Sequence, residues 1–257
     1  MIFQKTWEKF VADWKSFAIM ALGLLISYLV IAVVAAFASL SVVVRLLMSI
    51  PDLDYLGYYL DDPEYLLPLL GQFGFTLLVL VIVSVLVTAF MAGGLMGSLV
   101  AYRRGEAVTL GLFFNLGKRY WVRMLGIVGI ATAISCLLML LLVIPFLGCV
   151  LVVLAFPLVV VYCGFYPWYM VVAEEKGALD AIGASFRALT RDFKEAAMGG
   201  GVCLLMCLVV WLASVVVVFI PLVGPLAVIA LAYLSMTLIA HYFIDRFEIR
   251  VRPVLDG

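Results

Sequence analysis

The residues of this sequence that are best suited to chemistry lie in one short acidic segment. It contains five carboxylates, Asp52, Asp54, Asp61, Asp62 and Glu64. An Asp-x-Asp pair offers the oxygen ligands that divalent cations prefer. No second ligand set and no Lys or Arg clamp accompanies these carboxylates, although a membrane hydrolase or transferase needs clustered groups of that kind. The segment is therefore interpreted as a solvated loop; a weak lid or a docking site for a cationic partner is the functional alternative.

The remaining candidates for chemistry are thiols and one imidazole. Cys203 and Cys207 are spaced to share a helical face, yet they lack nearby His or carboxylate ligands. Such cysteines are typically small apolar packing residues. His241, the single histidine, falls near the end of an apolar stretch, where an interfacial structural role is expected. We therefore predict a non-enzymatic chain with no catalytic residue, no metal site and no cofactor.

These residues are set in a chain of membrane composition. Of 257 residues, 67% are hydrophobic and 12% are charged, against about half and about a quarter in soluble domains. One membrane span needs about 20 apolar residues. Four stretches contain no Asp, Glu, Lys or Arg: 16–44, 65–102, 124–173 and 196–244. The first two are long enough for one helix each and the last two for two each, so the sequence predicts an all-α integral membrane protein with six transmembrane helices.

Proline and glycine mark the turns inside the two long stretches. Pro145 is followed by Gly148, and Pro221 is followed by Gly224. Proline removes a backbone donor and glycine accepts a left-handed conformation, so each pair can end one helix and reverse the chain within a few residues. Together with the longer acidic loop 46–65, these hairpin turns predict three helix hairpins.

The distribution of charge predicts the orientation. Equal numbers of basic and acidic residues give zero formal net charge, which argues against a nucleic-acid partner. Every Lys and Arg except Arg45 falls on one predicted face, and positively charged loops are retained in the cytoplasm. Both termini, including a tail 246–257, are therefore predicted to be cytoplasmic, and the loop 46–65 extracytoplasmic. The first span is too long for a cleavable leader and is expected to anchor the chain in a prokaryotic inner membrane.

A recurring aromatic and basic pattern precedes three of the spans. An aromatic residue is followed by a basic residue five positions later and by a second aromatic residue seven positions later: Phe10, Lys15 and Phe17; Phe114, Arg119 and Trp121; Phe186, Arg191 and Phe193. The segments 1–102, 103–173 and 174–245 are therefore candidate repeats, although this spacing is also common at membrane interfaces. We predict that the three basic residues contact lipid headgroups and that the six aromatic residues are interfacial anchors.

Two segments in these regions are amphipathic at helical spacing. Apolar residues recur three or four positions apart in Leu179, Ile182, Phe186, Leu189 and Phe193, and again in Phe3, Trp7, Phe10, Trp14 and Phe17. Helices of this kind lie in the headgroup plane, with their rings buried and their basic side chains near anionic phosphate. We expect them on the cytoplasmic side, either as plain connections and anchors or as dedicated lipid-binding elements.

The segment 166–189 contains a particular order of residues in which a span ends near a proline. An acidic residue, a glycine and an amphipathic helix with a serine follow; the positions are Pro167, Glu174 or Glu175, Gly177, Ala181, Ile182 and Ser185. This order resembles bacterial families of unknown function that are related to the membrane domain of glycerophosphoryl diester phosphodiesterases. The resemblance implies a stand-alone six-span membrane domain, because the hydrolase part of such proteins is a separate soluble barrel.

The absence of charge at mid-membrane limits the functions to be considered. Proton- and ion-coupled transporters usually carry a charged residue there, and this sequence places none at mid-membrane. We expect an accessory or scaffold of the cell envelope that acts through membrane lipids or other membrane proteins; a permease or lipid-translocating transporter is the alternative. Gly93 and Gly97 form a small-residue face that favours packing within the monomer, or else a homo-oligomer seam.

Overall fold

The computed structural model describes residues 2–49, 63–144, 147–218 and 224–256, and these residues form helices without β-strands. Among them, six helices are long and apolar enough to cross a membrane: Trp14–Val44, Phe73–Arg103, Leu110–Val143, Val150–Ala173, Phe193–Val218 and Leu226–Val251. The predicted all-α, six-span architecture is confirmed.

The described residues fold into ten α-helices in chain order. They are α1 Ile2–Ala12, α2 Trp14–Ser49, α3 Pro63–Arg103, α4 Leu110–Leu140, α5 Leu147–Val159, α6 Tyr166–Ala173, α7 Ala178–Arg191, α8 Phe193–Val218, α9 Gly224–Arg246 and α10 Arg252–Asp256. A 3₁₀ turn, Leu141–Val143, extends α4. Two π-helical segments, Val160–Phe165 and Phe247–Val251, join α5 to α6 and α9 to α10.

Short polar connections separate the spans at one end of the molecule. Gly105 follows α3 with a φ of +80°, a backbone conformation that glycine adopts without a steric penalty. Thr109 then caps α4, because its Oγ1 accepts a hydrogen bond from the backbone N–H of Leu112 at 3.1 Å. Asp192 caps α8 in the same way and accepts from the N–H of Glu195 at 3.0 Å. These connections hold the polar ends of neighbouring helices close together.

Some residues that the sequence predicts to form turns or loops lie in the gaps between the described ranges. Pro145, Pro221 and the acidic residues of 52–62 lie outside the described residues. Gly148 and Gly224, predicted as turn residues, lie in the first turns of α5 and α9.

The predicted tail 246–257 is helical where the structure describes it. The π-helical segment Phe247–Val251 and then α10 follow α9 without a break. Phe247 is buried and its ring packs against Tyr166 and Tyr169, with centroids 5.2 and 5.5 Å apart. Val251, one turn later, is buried as well, whereas Ile249 is exposed.

The chain divides into two compact units. One unit, Ile26–Val87, contains the later part of α2 and the earlier part of α3. Many of its described side chains are apolar and exposed, including Phe37, Phe73 and Phe75. Helices that are apolar on all sides are expected where lipid is the surrounding medium.

The second unit, Met1–Leu25 with Thr88–Gly257, contains the site described below. Its centre is Phe113 of α4, whose ring inserts between two glycines. A Cβ atom added at Gly23 or at Gly94 would lie 2.8 Å from this ring. A Cβ atom added at Gly97 would lie 2.7 Å from the Cβ of Leu116. The glycines of α3 therefore allow close packing of α4 within the monomer, as the sequence favoured.

A π-helical segment interrupts the fourth span. Pro157 lies inside α5 and removes a backbone donor, and the segment Val160–Phe165 begins three residues later. Five of its residues, from Val161 to Phe165, are buried. A π-helical turn changes the rotation of everything after it, so this segment determines which residues of α6 face the other spans.

Candidate functional site at the polar end

Polar residues from several helices meet at one end of the larger unit. We call the following residues the polar cluster: Thr6, Asp13, Tyr102, Arg103, Tyr169, His241, Asp245 and Glu248. Tyr102 at the end of α3 donates a hydrogen bond to Asp13 Oδ2 at 2.6 Å. Thr6 of α1 donates to Asp245 Oδ2 at 2.8 Å, across 239 positions of sequence. The contacts bring together helix ends that the charge pattern assigns to one face.

Arg103 is the centre of the polar cluster. Its Nη2 donates to Asp245 Oδ1, and its Nη1 lies 3.0 Å from Glu248 Oε1. Tyr169 of α6 donates its hydroxyl to the same oxygen of Glu248. Each of the two carboxylates therefore has two partners, counting Thr6 at Asp245. Partly buried charge is tolerated only when it is paired and hydrogen-bonded in this way.

His241 lies beside this network without a hydrogen bond of its own. The residue is fully buried, and its ring packs against Phe17 and Tyr102, with centroids 5.4 and 6.0 Å apart. Its Nε2 lies 3.8 Å from Asp245 Oδ2, beyond hydrogen-bond distance. Neither ring nitrogen has a hydrogen-bond partner among the described residues. Buried polar atoms are nearly always bonded, so this ring is available to an additional group.

A second buried ion pair lies close by in sequence, at Arg246. Its Nη2 lies 2.6 Å from Glu195 Oε1 and donates to the backbone oxygen of Glu195 at 3.2 Å. Its Nη1 donates to the hydroxyl of Tyr242 at 3.1 Å. The guanidinium group packs against Gly199, where an added Cβ atom would lie at an ordinary van der Waals distance of 3.6 Å from Arg246 Nε. The pair ties α8 to α9.

An open cleft of about 640 Å³ lies over the polar cluster. Small-molecule sites typically have volumes of about 300–1,000 Å³. The charged residues that line the cleft come from both signs: Lys9, Arg103, Arg104 and Arg252, and Asp13, Glu174 and Glu248. His241, Tyr102 and Tyr169 line it as well. The cleft therefore brings charged residues of both signs together with these three polar rings.

A second cleft, of about 440 Å³, lies among the membrane-spanning helices. Its walls come mainly from α4, α5 and the π-helical segment, and they are largely apolar, with Met139 and Phe156 among them. Thr132, Ser135 and Trp168 also line it. Ser135 donates to the backbone oxygen of Ala131 at 2.8 Å, so its hydroxyl is satisfied within its own helix. This cleft suits an apolar group such as an acyl chain.

The three predicted headgroup contacts lie on three different elements. Lys15 is exposed in the first turn of α2, and Arg191 is the last residue of α7. Arg119 of α4 lies 3.6 Å from Glu175, with both side chains 66% exposed. Its guanidinium carbon also lies 5.4 Å from the ring centroid of Tyr120. Their headgroup role stays a prediction.

The six predicted interfacial anchors have different environments. Trp121, Phe186 and Phe193 are exposed, and Phe10 and Phe114 are half-buried. Phe17 is fully buried and packs against Phe10, Tyr102 and His241. The prediction for Phe17 requires a correction, because a ring enclosed by its own protein cannot contact lipid. Phe17 does belong to the aromatic spacing, but the neighbouring helices cover its ring.

Sequence reasoning missed the polar cluster. Arg103 and Asp245 directly follow two of the apolar stretches and Arg246 begins the predicted tail, so the sequence showed them only as charges of one face. One signal was present: His241 and Asp245 are four positions apart and therefore share a face of a helix. Pairing with Arg103 depends on how α3 and α9 pack, which no local pattern shows.

The fold and the site together define a polytopic α-helical membrane protein with a buried ionic network at one end of its helices. Within the described residues, no group of three or more His, Cys, Asp or Glu side chains is placed to hold a metal ion. No protein-family model, no curated protein and no solved structure matches the chain.

Proposed function

We propose that the protein is a non-enzymatic, lipid-interacting accessory or scaffold of a prokaryotic inner membrane, with its polar end and both termini in the cytoplasm. The observation that carries this proposal is the division of α7 into three faces. A helix with this division is suited to lie in the headgroup layer while it remains docked on its own protein.

The first face of α7 is small and faces the protein. Ala181, Ala184, Ser185 and Ala188 are buried. The helix begins against α4, where a Cβ atom at Gly126 would lie 3.3 Å from the Cβ of Ala178. Small residues allow this close approach, so α7 is a fixed part of the larger unit.

The second and third faces of α7 are directed away from the protein. Leu179 is 74% exposed, Phe186 is 39% exposed and Phe193, at the start of α8, is 66% exposed. Asp180 and Arg187 are exposed on a separate side. An exposed row of large apolar residues beside a charged face is typical of helices at the membrane surface.

The helix α1 has the same character. Thr6 is its buried residue and contacts the polar cluster. Phe3 and Trp7 of α1 and Trp14 at the start of α2 are exposed, and the rings of Phe3 and Trp7 stack with centroids 6.4 Å apart. Tryptophan is enriched at the membrane interface. Two helices thus support the same assignment.

Lipid copurification tests the headgroup role. The full chain is extracted gently, and its bound phosphatidylglycerol and phosphatidylethanolamine are quantified by mass spectrometry. Charge reversal in Arg119→Glu with Arg191→Glu is expected to lower the share of phosphatidylglycerol, because cations near the surface each contribute about 1 kcal/mol to binding of anionic lipid. A charge-matched control, Lys118→Glu with Arg187→Glu, alters the same two helices at positions outside the aromatic pattern. Equal lipid profiles in both variants and the wild type would contradict the headgroup role.

A second candidate function, translocation of lipid, is favoured by the apolar cleft between α4 and α5. Ala131 lines this cleft, so Ala131→Phe fills it. The test is the movement of a fluorescent phospholipid across proteoliposomes. Movement that is present in the wild type and lost in Ala131→Phe supports translocation, whereas the absence of movement in the wild type excludes it for this lipid.

A further inference from the structure

The charged residues that line the cleft over the polar cluster differ in whether they have partners within the chain. Its three lining carboxylates all have partners within the chain. Asp13 accepts from Tyr102, and Glu248 pairs with Arg103 and Tyr169. Glu174 lies 2.8 Å from Lys176 Nζ and 3.6 Å from Arg252 Nη2. A ligand that offered only positive charge would therefore compete with contacts that already exist.

Two of the four cations that line the cleft, Lys9 and Arg104, differ from these carboxylates. Lys9 and Arg104 line it and are exposed, and their side chains form no ion pair or hydrogen bond with the described residues. His241 lines it from the buried side, and both of its ring nitrogens are without hydrogen-bond partners there. Among the described residues, the groups of the cleft without partners are thus two cations and one imidazole, each of which can donate a hydrogen bond.

We propose that this cleft binds an anionic phosphate ester, held by Lys9 and Arg104 at its opening and by the ring of His241 at its base. Phosphate oxygens accept several charge-assisted hydrogen bonds at once. A cleft of about 640 Å³ also accommodates the organic part of such an ester. The site is distinct from the exposed aromatic residues Phe3 and Trp7 of α1 and from the exposed faces of α7, and it does not depend on the function proposed for them.

Two kinds of molecule carry an anionic phosphate ester of this chemistry. The cleft lies where α3, α6 and α9 reach the end of the membrane-spanning region. A phospholipid headgroup reaches this level from the membrane, and a small phosphorylated metabolite reaches it from the aqueous side.

The experiment uses the full chain in detergent, titrated with phosphatidylglycerol and separately with glycerol 3-phosphate, and reads occupancy by native mass spectrometry. Lys9→Gln with Arg104→Gln is expected to weaken binding of the preferred probe by at least about tenfold, because a hydrogen bond to a charged group is worth about 1.5–3 kcal/mol. Lys118→Gln with Arg123→Gln removes one Lys and one Arg from exposed positions of α4 outside the cleft. This control is expected to bind as the wild type does.

The two probes distinguish the two sources. If phosphatidylglycerol binds tightly and glycerol 3-phosphate does not displace it, the site is a lipid site. If glycerol 3-phosphate binds tightly and there is no preference for the lipid, the site binds a soluble ester. Equal occupancy of both probes in the two double variants overturns the proposal, and so does the absence of binding of either probe to the wild type.

His241→Leu separates ligand binding from a structural role. Leucine keeps an apolar side chain between Phe17 and Tyr102 and removes two buried nitrogens that have no hydrogen-bond partner. We expect thermal stability to be equal or higher, since an unmet buried polar group destabilises the fold, and binding of the ester to be weaker. Unchanged binding in a folded His241→Leu variant would remove this residue from the site.

Discussion

Arg103 and Asp245 form an ion pair between the end of α3 and the end of α9, although 142 positions of sequence separate them. The side chains are 21% and 10% exposed, so the pair lies in the partly buried end of the helices. It joins the second span to the sixth.

Removal of one partner is expected to destabilise the fold. Asp245→Asn leaves the Arg103 guanidinium with Glu248 alone and should lower the free energy of unfolding by about 1–3 kcal/mol. A double-mutant cycle with Arg103→Gln should give a coupling energy of about 1–2 kcal/mol. Unfolding in mixed micelles titrated with dodecyl sulfate measures both quantities. The exposed pair Arg119 and Glu175 is the control, with a coupling energy of about 0.5 kcal/mol or less.

The Arg246 and Glu195 pair predicts that a single removal is worse than a double removal. Glu195→Ala leaves a buried guanidinium without its carboxylate and should cost about 2–4 kcal/mol. Glu195→Leu with Arg246→Leu removes both charges, so its loss should be smaller. The same micelle titration compares the two variants. A double variant that is less stable than Glu195→Ala would show that the pair contributes net stability beyond its own desolvation.

The packing of Phe113 predicts that a Gly→Ala substitution destabilises the fold at one glycine and not at another. Gly94→Ala places a Cβ atom 2.8 Å from the Phe113 ring and should lower stability by about 1–3 kcal/mol. At Gly129, in the same bundle, an added Cβ atom meets nothing within 4 Å. Gly129→Ala should therefore be neutral or stabilising by up to about 1 kcal/mol. Combining Gly94→Ala with Phe113→Leu should recover part of the loss.

If Gly94→Ala and Gly129→Ala had the same effect on the unfolding midpoint, the close contact between α3 and α4 would be wrong. The recovery in the double variant is the more specific test, because it depends on the Phe113 ring and not on helix propensity alone.

The orientation of the protein is open to a direct measurement. Single cysteines are placed at Lys118 and Lys194 in a chain whose five native cysteines are replaced. Both positions are exposed and lie near the polar ends of α4 and α8. We expect a membrane-impermeant thiol reagent to label them in inverted vesicles and not in intact cells. Labelling in intact cells would place the polar end outside and overturn the predicted orientation.

The amphipathic segments show what an apolar spacing in the sequence can predict and what it cannot. The apolar spacing of Leu179, Phe186 and Phe193 predicted a surface helix, and these residues are exposed. Ile182 belongs to the same stripe but is buried, because the docking face of small residues lies beside the apolar face. The prediction that Phe17 is an interfacial anchor was wrong for a similar reason, because its helix continues from the surface into the core. Periodicity shows which residues share a face, but the neighbouring elements decide whether protein or lipid covers it.

The amino-acid sequence by itself determined the number of spans and the sharing of charge between two faces. Both follow from local quantities, since a run of about 20 apolar residues is sufficient to cross the membrane and loop charge is read residue by residue. The tertiary structure decided that Arg103, Asp245 and Glu248 form one network, that Arg246 is buried against Glu195, and that His241 is left without a hydrogen bond at the base of a cleft. Such pairings depend on how helices far apart in sequence pack, and the free energy that favours them is shared between positions that no local pattern links.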